Sequence, residues 1–353
     1  MAYMKVYVGM SGGVDSSVTA ALLLRAGHDV TGVYMKNWSQ DLPGMICPWK
    51  DDYQDAKRVA VQLGIPFKMY DFEKEYRERV VEYMIDSYKK GLTPNPDIMC
   101  NQEVKFKLFL ETALQDGADM IATGHYARVV HTDDGAELRT AANVEKDQTY
   151  FLYRVTEDAL AHSFMPIGEY KTKAAVRAEA KKLGLATAEK KDSQGICFVG
   201  KVGIKDFLLH EIGPQEPGAI IDGNGVQIGE HDGAIFYTIG QRQGLGVGGG
   251  LPYYVTGKNM DKNEVYVTTD LQDDNLWSER VKLTALHWIN GTPESDKTYS
   301  VRTRFRAGLV EAKIVYENDM ALLNLEEKVR AITPGQSAVL YDGDRVLGGG
   351  VVV

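Results

Sequence analysis

The chain has 353 residues, 44% of them hydrophobic and 25% charged, enough apolar material for two or three buried cores and too much for a disordered protein. No apolar run approaches the ~20 residues of a bilayer-spanning helix, the first residues lack the flank and apolar stretch of a signal peptide, and three cysteines cannot form a secreted disulfide framework. A reducing, cytoplasmic setting with no membrane partner is expected, and the net charge of −9 requires only that any nucleic-acid surface be a local basic one.

In chain order, 5–8 reads as a strand, Val14–Arg25 as an apolar helix after a glycine turn, and 30–35 as a second strand. A helix over 50–63 is closed by Gly64, 66–70 is extended, 73–89 and 103–114 are helical, and the strand 119–123 ends in Gly124-His125. This alternation predicts a parallel sheet with helices on both faces, whose chemistry sits at the carboxyl ends of its strands. After Gly200 the pattern changes: a short helix near 206–212, turn signals at 213–214, 217–218 and 222–225, and a glycine-rich mobile or close-approach loop over 244–250. From about Asn263 only strands follow, at 264–268, 281–288, 299–306, 311–316 and 321–325, with a last hairpin around 342–344. The expected organisation is an α/β nucleotide-binding catalytic domain over 1–205, a small mostly-β central domain over 206–272 and a C-terminal β-barrel over 273–353.

Ser11-Gly12-Gly13-Val14-Asp15-Ser16-Ser17 joins the first strand to the first helix. Glycines there let backbone N–H groups approach a phosphate, and the helix start adds positive potential. The string carries neither a Walker loop nor Gly-x-Gly-x-x-Gly, and it resembles the pyrophosphate loop of the ATP-dependent adenylating enzymes. The resemblance implies that residues 9–16 (Gly9, Met10, Ser11, Gly12, Gly13, Val14, Asp15, Ser16) bind ATP, with Met35 at the adenine and Gly124 against the nucleotide. The loop alone does not choose a substrate.

Two cysteines lie in polar, turn-like contexts. Cys100 closes Thr93-Pro94-Asn95-Pro96-Asp97-Ile98-Met99-Cys100-Asn101, where two prolines are expected to forbid helix and hold the segment extended, with Asp97 near the thiol. Cys197 lies in Asp192-Ser193-Gln194-Gly195-Ile196-Cys197-Phe198. Together with the nucleotide loop, Thr-Gly-His-Tyr-Ala at 123–127, Lys146-Asp147-Gln148 and Thr333-Pro334-Gly335-Gln336, these motifs resemble the bacterial tRNA-specific 2-thiouridylase family from the first strand to the last hairpin.

That resemblance implies a HUP-like first domain and ATP-dependent 2-thiolation of a wobble uridine in tRNA, with ATP and Mg2+ as cofactors. It implies that Cys197 carries a persulfide, that Cys100 is the partner nucleophile in a transient Cys100–Cys197 disulfide, and that Asp97 is a general acid/base. Asn95, Pro96 and Asp97 would face the target base, and His125, Lys146, Asp147, Gln148, Arg304, Phe305 and Gln336 would touch tRNA. A sulfur-donor protein, a cysteine desulfurase or sulfur-relay protein, is the expected partner of a monomer. The chemistry is coherent by itself: a uracil oxygen must be adenylated before it can leave, and a persulfide needs a second thiol to release its outer sulfur.

Cys47 has no assigned role; its spacing is not that of a ferredoxin, so an iron–sulfur cluster is the lesser reading and no metal-ligand set is assigned. Arg302, Arg304 and Arg306 alternate, which predicts three guanidinium groups on one strand face, and Lys171, Lys173, Arg177, Lys181 and Lys182 recur at helical spacing. These two stripes are the expected tRNA surface. The competing readings are a small-molecule adenylating synthetase, which needs neither cysteine, and an ATP sensor without chemistry.

Overall fold

The computed structural model describes residues 3–353 apart from 43, 45, 134, 192–202 and 249. Cys197 and its motif therefore lie outside the described residues. The first strands and helices are β1 (Lys5–Gly9), α1 (Val14–Arg25), β2 (Asp29–Lys36), α2 (Trp49–Leu63), β3 (Phe67–Asp71) and β4 (Met120–Ala122). A hairpin of β5 (Ala127–Thr132) and β6 (Gly135–Thr140) follows, then the short β7 (Ser163–Phe164). Strands order as β3-β2-β1-β4-β7, all parallel.

Alternate residues of β1 serve two cores. Val6 and Val8 pack with Val18 and Ala21 of α1, while Tyr7 packs on the other face with Phe109 and Ile121. Both faces are covered, which is why the strand reads as an unbroken apolar run. From β1 the chain steps outward to β2 and β3, then returns to β4 on the other side of β1. The loops after β1 and β4 thus flank one crevice, where ligands bind in such sheets.

The central strands β8 (Gly218–Ile221), β9 (Gln227–His231), β10 (Tyr254–Asn259) and β11 (Glu264–Thr268) form a small sheet in the order β10-β11-β8-β9. Beyond it come β12 (Trp277–Trp288), β13 (Thr298–Arg302), β14 (Val310–Glu317), β15 (Met320–Arg330), β16 (Ser337–Asp342) and β17 (Arg345–Val352). They run β12-β15-β14-β13-β16-β17, and β12 pairs with β17 to close a six-stranded barrel around Val301, Ile314, Leu323 and Leu340. The β5–β6 hairpin joins the barrel through the Arg139–Arg345 pairing. Asp344 reinforces this seam by accepting from Arg128 at 2.7 Å and Arg139 at 3.3 Å.

One expectation fails here. The strand expected over 299–306 ends at Arg302, because the chain turns and Arg306 takes a left-handed φ of +64°. The three arginines therefore share no face. Arg302 turns inward to Asp147 at 3.4 Å, Arg304 donates to Ala331 O and Thr333 Oγ1, and Arg306 lies over the Phe305 ring.

Candidate active site

The loops after β1 and β4 each need a glycine, for separate reasons. Gly12 has φ +73°, and a Cβ there would strike the backbone carbonyl of Asp52 in α2. Gly124, after β4, backs against the first turn of α1: a Cβ would come within 2.7 Å of the Ser16 amide nitrogen. Gly13 is the N-cap and offers no side-chain acceptor, so the first N–H groups of α1 face the crevice without a side-chain cap at this position. The Ser16 hydroxyl accepts from the Ser11 N–H at 3.2 Å and donates to Gly13 O, which braces the loop. A cleft of about 310 Å³ opens above it; of the residues expected at the nucleotide, Gly9, Met10, Ser11, Asp15, Ser16, Met35 and Gly124 line it, and Gly12, Gly13 and Val14 do not.

Sequence reasoning missed the two residues that hold Asp15. Lys173 Nζ donates to both carboxylate oxygens, at 2.8 and 2.7 Å, and the Tyr126 hydroxyl donates at 2.9 Å. Lys173, one of the five basic residues of the expected RNA-facing stripe, is thus engaged with Asp15. In the helix Lys173–Lys182, Lys173 turns toward the cleft and Arg177 donates to Ala188 O, while Lys171, Lys181 and Lys182 stay exposed. Tyr126 sits in the Thr-Gly-His-Tyr-Ala run directly after β4, which was a legible signal.

His125, Gln148 and Lys105 also line this cleft. His125 Nδ1 is 2.8 Å from Thr123 Oγ1, and its ring packs on Phe106 at 5.6 Å. Burial, helped by the Lys105 charge, pushes its pKa well below the usual imidazole range. Gln148 accepts from the Tyr126 N–H at 2.9 Å and so pins the turn after β4. Cys47 lies on the cleft as well, its Sγ 3.7 Å from Trp38 O, and burial pushes its thiol pKa up. Among the described residues, no group of three His, Cys, Asp or Glu side chains is placed to hold a metal ion.

Cys100 is not in an extended loop. Helix begins at Pro96, because proline at the first helical position needs no N–H partner and already has a helical φ. It continues through a π segment, Cys100–Leu108, into Phe109–Gln115, so the helix starts seven residues before the expected 103. Nor are the surroundings polar: Cys100 is 2% exposed and belongs to the main hydrophobic cluster. Asp97, one turn earlier, shares its helical side. Burial raises the pKa of the Asp97 carboxyl, and the charge of Lys105 offsets part of the rise. Lys105 thus acts on Asp97 while lining the cleft above the β1–α1 loop. Asn95 precedes the helix and lines a separate small cavity with Met99 and Tyr153.

Of the expected RNA contacts, Asp147 is buried, accepting from Ala141 N at 2.9 Å and Thr149 Oγ1 at 2.7 Å. Phe305 packs on Phe151 with ring centroids 4.3 Å apart. Gln336 Nε2 donates to Thr93 O at 2.8 Å. Lys146, Phe305 and Arg306 rim a groove of about 680 Å³ between the turn at 144–147 and the barrel.

Comparison with known proteins places three family descriptions along the chain: a tRNA methyl transferase HUP domain over residues 4–201, a tRNA methyl transferase PRC-barrel domain over 205–269 and an aminomethyltransferase beta-barrel domain over 278–352. The tRNA-specific 2-thiouridylase MnmA of Lacticaseibacillus paracasei is 46% identical over 99% of this chain and 94% of its own length. That of Bacillus thuringiensis is 45% identical, again over 99% and 94%. A solved 4-thiouridine synthetase–RNA complex with bound ATP is 17% identical over 59% of this chain and 50% of its own, with a TM-score of 0.38, a likeness too slight to bear on the site. No helix among the described residues is long and apolar enough to cross a membrane.

Proposed function

The chain belongs to the tRNA-specific 2-thiouridylase family, and on that premise we propose that it exchanges the C2 oxygen of a tRNA uridine for sulfur at the expense of ATP. One observation carries the reading: a cleft floored by a pyrophosphate-type loop is lined by Lys105 of the same helical run that begins at Pro96 and bears Asp97 and Cys100.

In the first step the uracil O2 attacks the α-phosphorus of ATP, an O–P bond forms, the α–β bond breaks and pyrophosphate leaves. The open N–H groups of α1, with Ser11 and Ser16, are suited to receive that pyrophosphate. A nucleotide-borne Mg2+ would neutralise phosphate charge; the Asp15 carboxylate on the cleft already accepts from Lys173 and Tyr126, so no side chain is assigned to the ion. Lys105 adds fixed positive charge where the negative charge develops.

In the second step the outer sulfur of a persulfide on Cys197 attacks C2, and the C2–O bond to AMP breaks. Cys100 then attacks the inner sulfur, which releases thiouridine and leaves a Cys100–Cys197 disulfide for an external dithiol to reduce. Asp97, with its raised pKa, is the acid/base for these transfers. Because Cys100 is 2% exposed, its attack requires the helix start to open, and docking of tRNA in the groove beside Lys146 is the event proposed to open it.

Nucleoside mass spectrometry of tRNA incubated with protein, ATP, Mg2+ and a persulfide source tests the proposal. Sulfur-for-oxygen exchange is expected. ATP binding without that product would leave only a sensor.

A further inference from the structure

The segment that leads into the Asp97–Cys100 helix is held by the rest of the molecule rather than by itself. Locally it has little to fix it. Asn95, the N-cap, makes no side-chain cap bond, and Pro96 has no N–H. Thr93, however, spends all three of its hydrogen-bonding groups on distant parts of the chain. Its N–H donates to Pro334 O at 2.9 Å, and its carbonyl accepts from Gln336 Nε2 at 2.8 Å, both in the turn before β16. Its hydroxyl is 3.2 Å from the Thr238 hydroxyl of the central region.

The contact is close as well as bonded. Gly335 has φ +91°, and a Cβ there would come within 2.7 Å of the Thr93 nitrogen and 2.9 Å of Leu92 Cβ. The same turn is anchored on its far side, where Tyr150 donates to Ser337 O at 2.9 Å and the Tyr153 hydroxyl lies 3.1 Å from Ser337 Oγ. A bonded amide, carbonyl and hydroxyl with a glycine-only approach define a fixed point one residue before Pro94-Asn95-Pro96.

We infer that Thr93, Gly335 and Gln336 are positioning residues: the barrel's 333–337 turn sets where the helix bearing Asp97 and Cys100 begins, and so sets the reach of the Cys100 thiol. Gln336 is then not primarily an RNA contact, since its amide nitrogen is committed to Thr93 O. This rests on the reading above that Asp97 and Cys100 perform the sulfur transfer. Displacing a reacting group by about 1 Å costs on the order of 10²-fold in rate, so small shifts of this strut are expected to be visible.

The test uses the full chain with Gln336→Met, Gly335→Ala, Thr93→Val and the conservative Thr93→Ser. Four quantities are read: single-turnover thiolation at saturating tRNA, tRNA-dependent pyrophosphate release, tRNA affinity, and the rate at which iodoacetamide alkylates the Cys100 peptide without tRNA. Gln336→Met, Gly335→Ala and Thr93→Val should slow thiolation by about 10–100-fold, and Thr93→Ser should restore it. Pyrophosphate release and tRNA affinity should stay within a few-fold of wild type, and Cys100 alkylation should quicken as the helix start loosens. Wild-type thiolation in Gln336→Met and Thr93→Val overturns the inference, as does a loss confined to tRNA affinity, which would make Gln336 an RNA contact. Should the unmodified protein thiolate nothing, the functional reading fails, and the alkylation rates alone then decide the strut: faster in the variants supports it, unchanged overturns it.

Discussion

Phe305→Ala separates two tasks that one aromatic ring could perform. The ring rests on Phe151, centroids 4.3 Å apart, and on Tyr150 at 6.3 Å, bringing the β13–β14 turn against the first domain. Phe151 O in turn accepts from Asn101 Nδ2 at 3.0 Å, the residue after Cys100. Truncating a fully buried phenylalanine costs about 3–5 kcal/mol, and Phe305 is half-buried, so a loss of about 1.5–2.5 kcal/mol is expected. At about 2–4 °C per kcal/mol for a domain of this size, the melting temperature should fall by about 3–10 °C. A double-mutant cycle with Phe151→Ala should return a coupling of about 0.5–1.5 kcal/mol, the worth of an aromatic pair beyond its buried area. Melting curves and filter-binding of tRNA, run on the same preparations, complete the assay. If the ring stacked on a base, its removal would cost about 1–3 kcal/mol of binding, a loss of about 5–150-fold. Unchanged melting with such a loss of affinity would refute the packing argument.

Three further outcomes are expected. Asp97→Asn should melt higher than wild type at pH 7 while thiolating ~10²-fold more slowly. The sign follows from its raised pKa: the folded state favours the protonated form, so stability is fullest below the unfolded pKa of about 3.8 and declines as pH rises toward the folded value; a lower melting point would contradict it. Lys173→Met should weaken ATP use by freeing Asp15, and its effect should be non-additive with Asp15→Asn; simple additivity, measured by pyrophosphate release, would mean the pair does not act as a unit. Cys197→Ser should load no persulfide and Cys100→Ser should load one without turning over, so wild-type thiolation by either would end the relay.

What the sequence made legible follows from which signals are local. α1 and α2 lie within a residue of their expected ends because apolar spacing and Gly64, in the left-handed region at φ +67°, mark them without reference to anything distant. The turn between β1 and α1 was equally plain, since Gly12 has a left-handed φ and a Cβ there would strike the Asp52 carbonyl. Pro96 misled because a proline that breaks a helix from inside also starts one from the first position, and the difference lies in what precedes it. The arginine alternation misled because period two persists in sequence after the strand has ended. The β5–β6 hairpin went unread although Gly135 marked its turn. Lys173, Asp147 and Gln336 looked like surface residues, and only the fold supplies their partners Asp15, Arg302 and Thr93. Charge and polarity are local properties; pairing is not.

The seam between β12 and β17 also bears on how the protein is made. Strands emerge from the ribosome in order, so β12 must wait, one edge unpaired, until β17 has been synthesised. The β5–β6 hairpin waits for the same strand, and Thr93 meets Gln336 across a separation of 243 residues. Contacts this distant in sequence form late and slowly. The crevice between the loops after β1 and β4 can therefore take shape during translation, whereas the barrel's grip on the Asp97–Cys100 helix comes only afterwards. A ribosome stalled before the 333–337 turn would display a chain with its β1–α1 loop formed and the Asp97–Cys100 helix still unmoored.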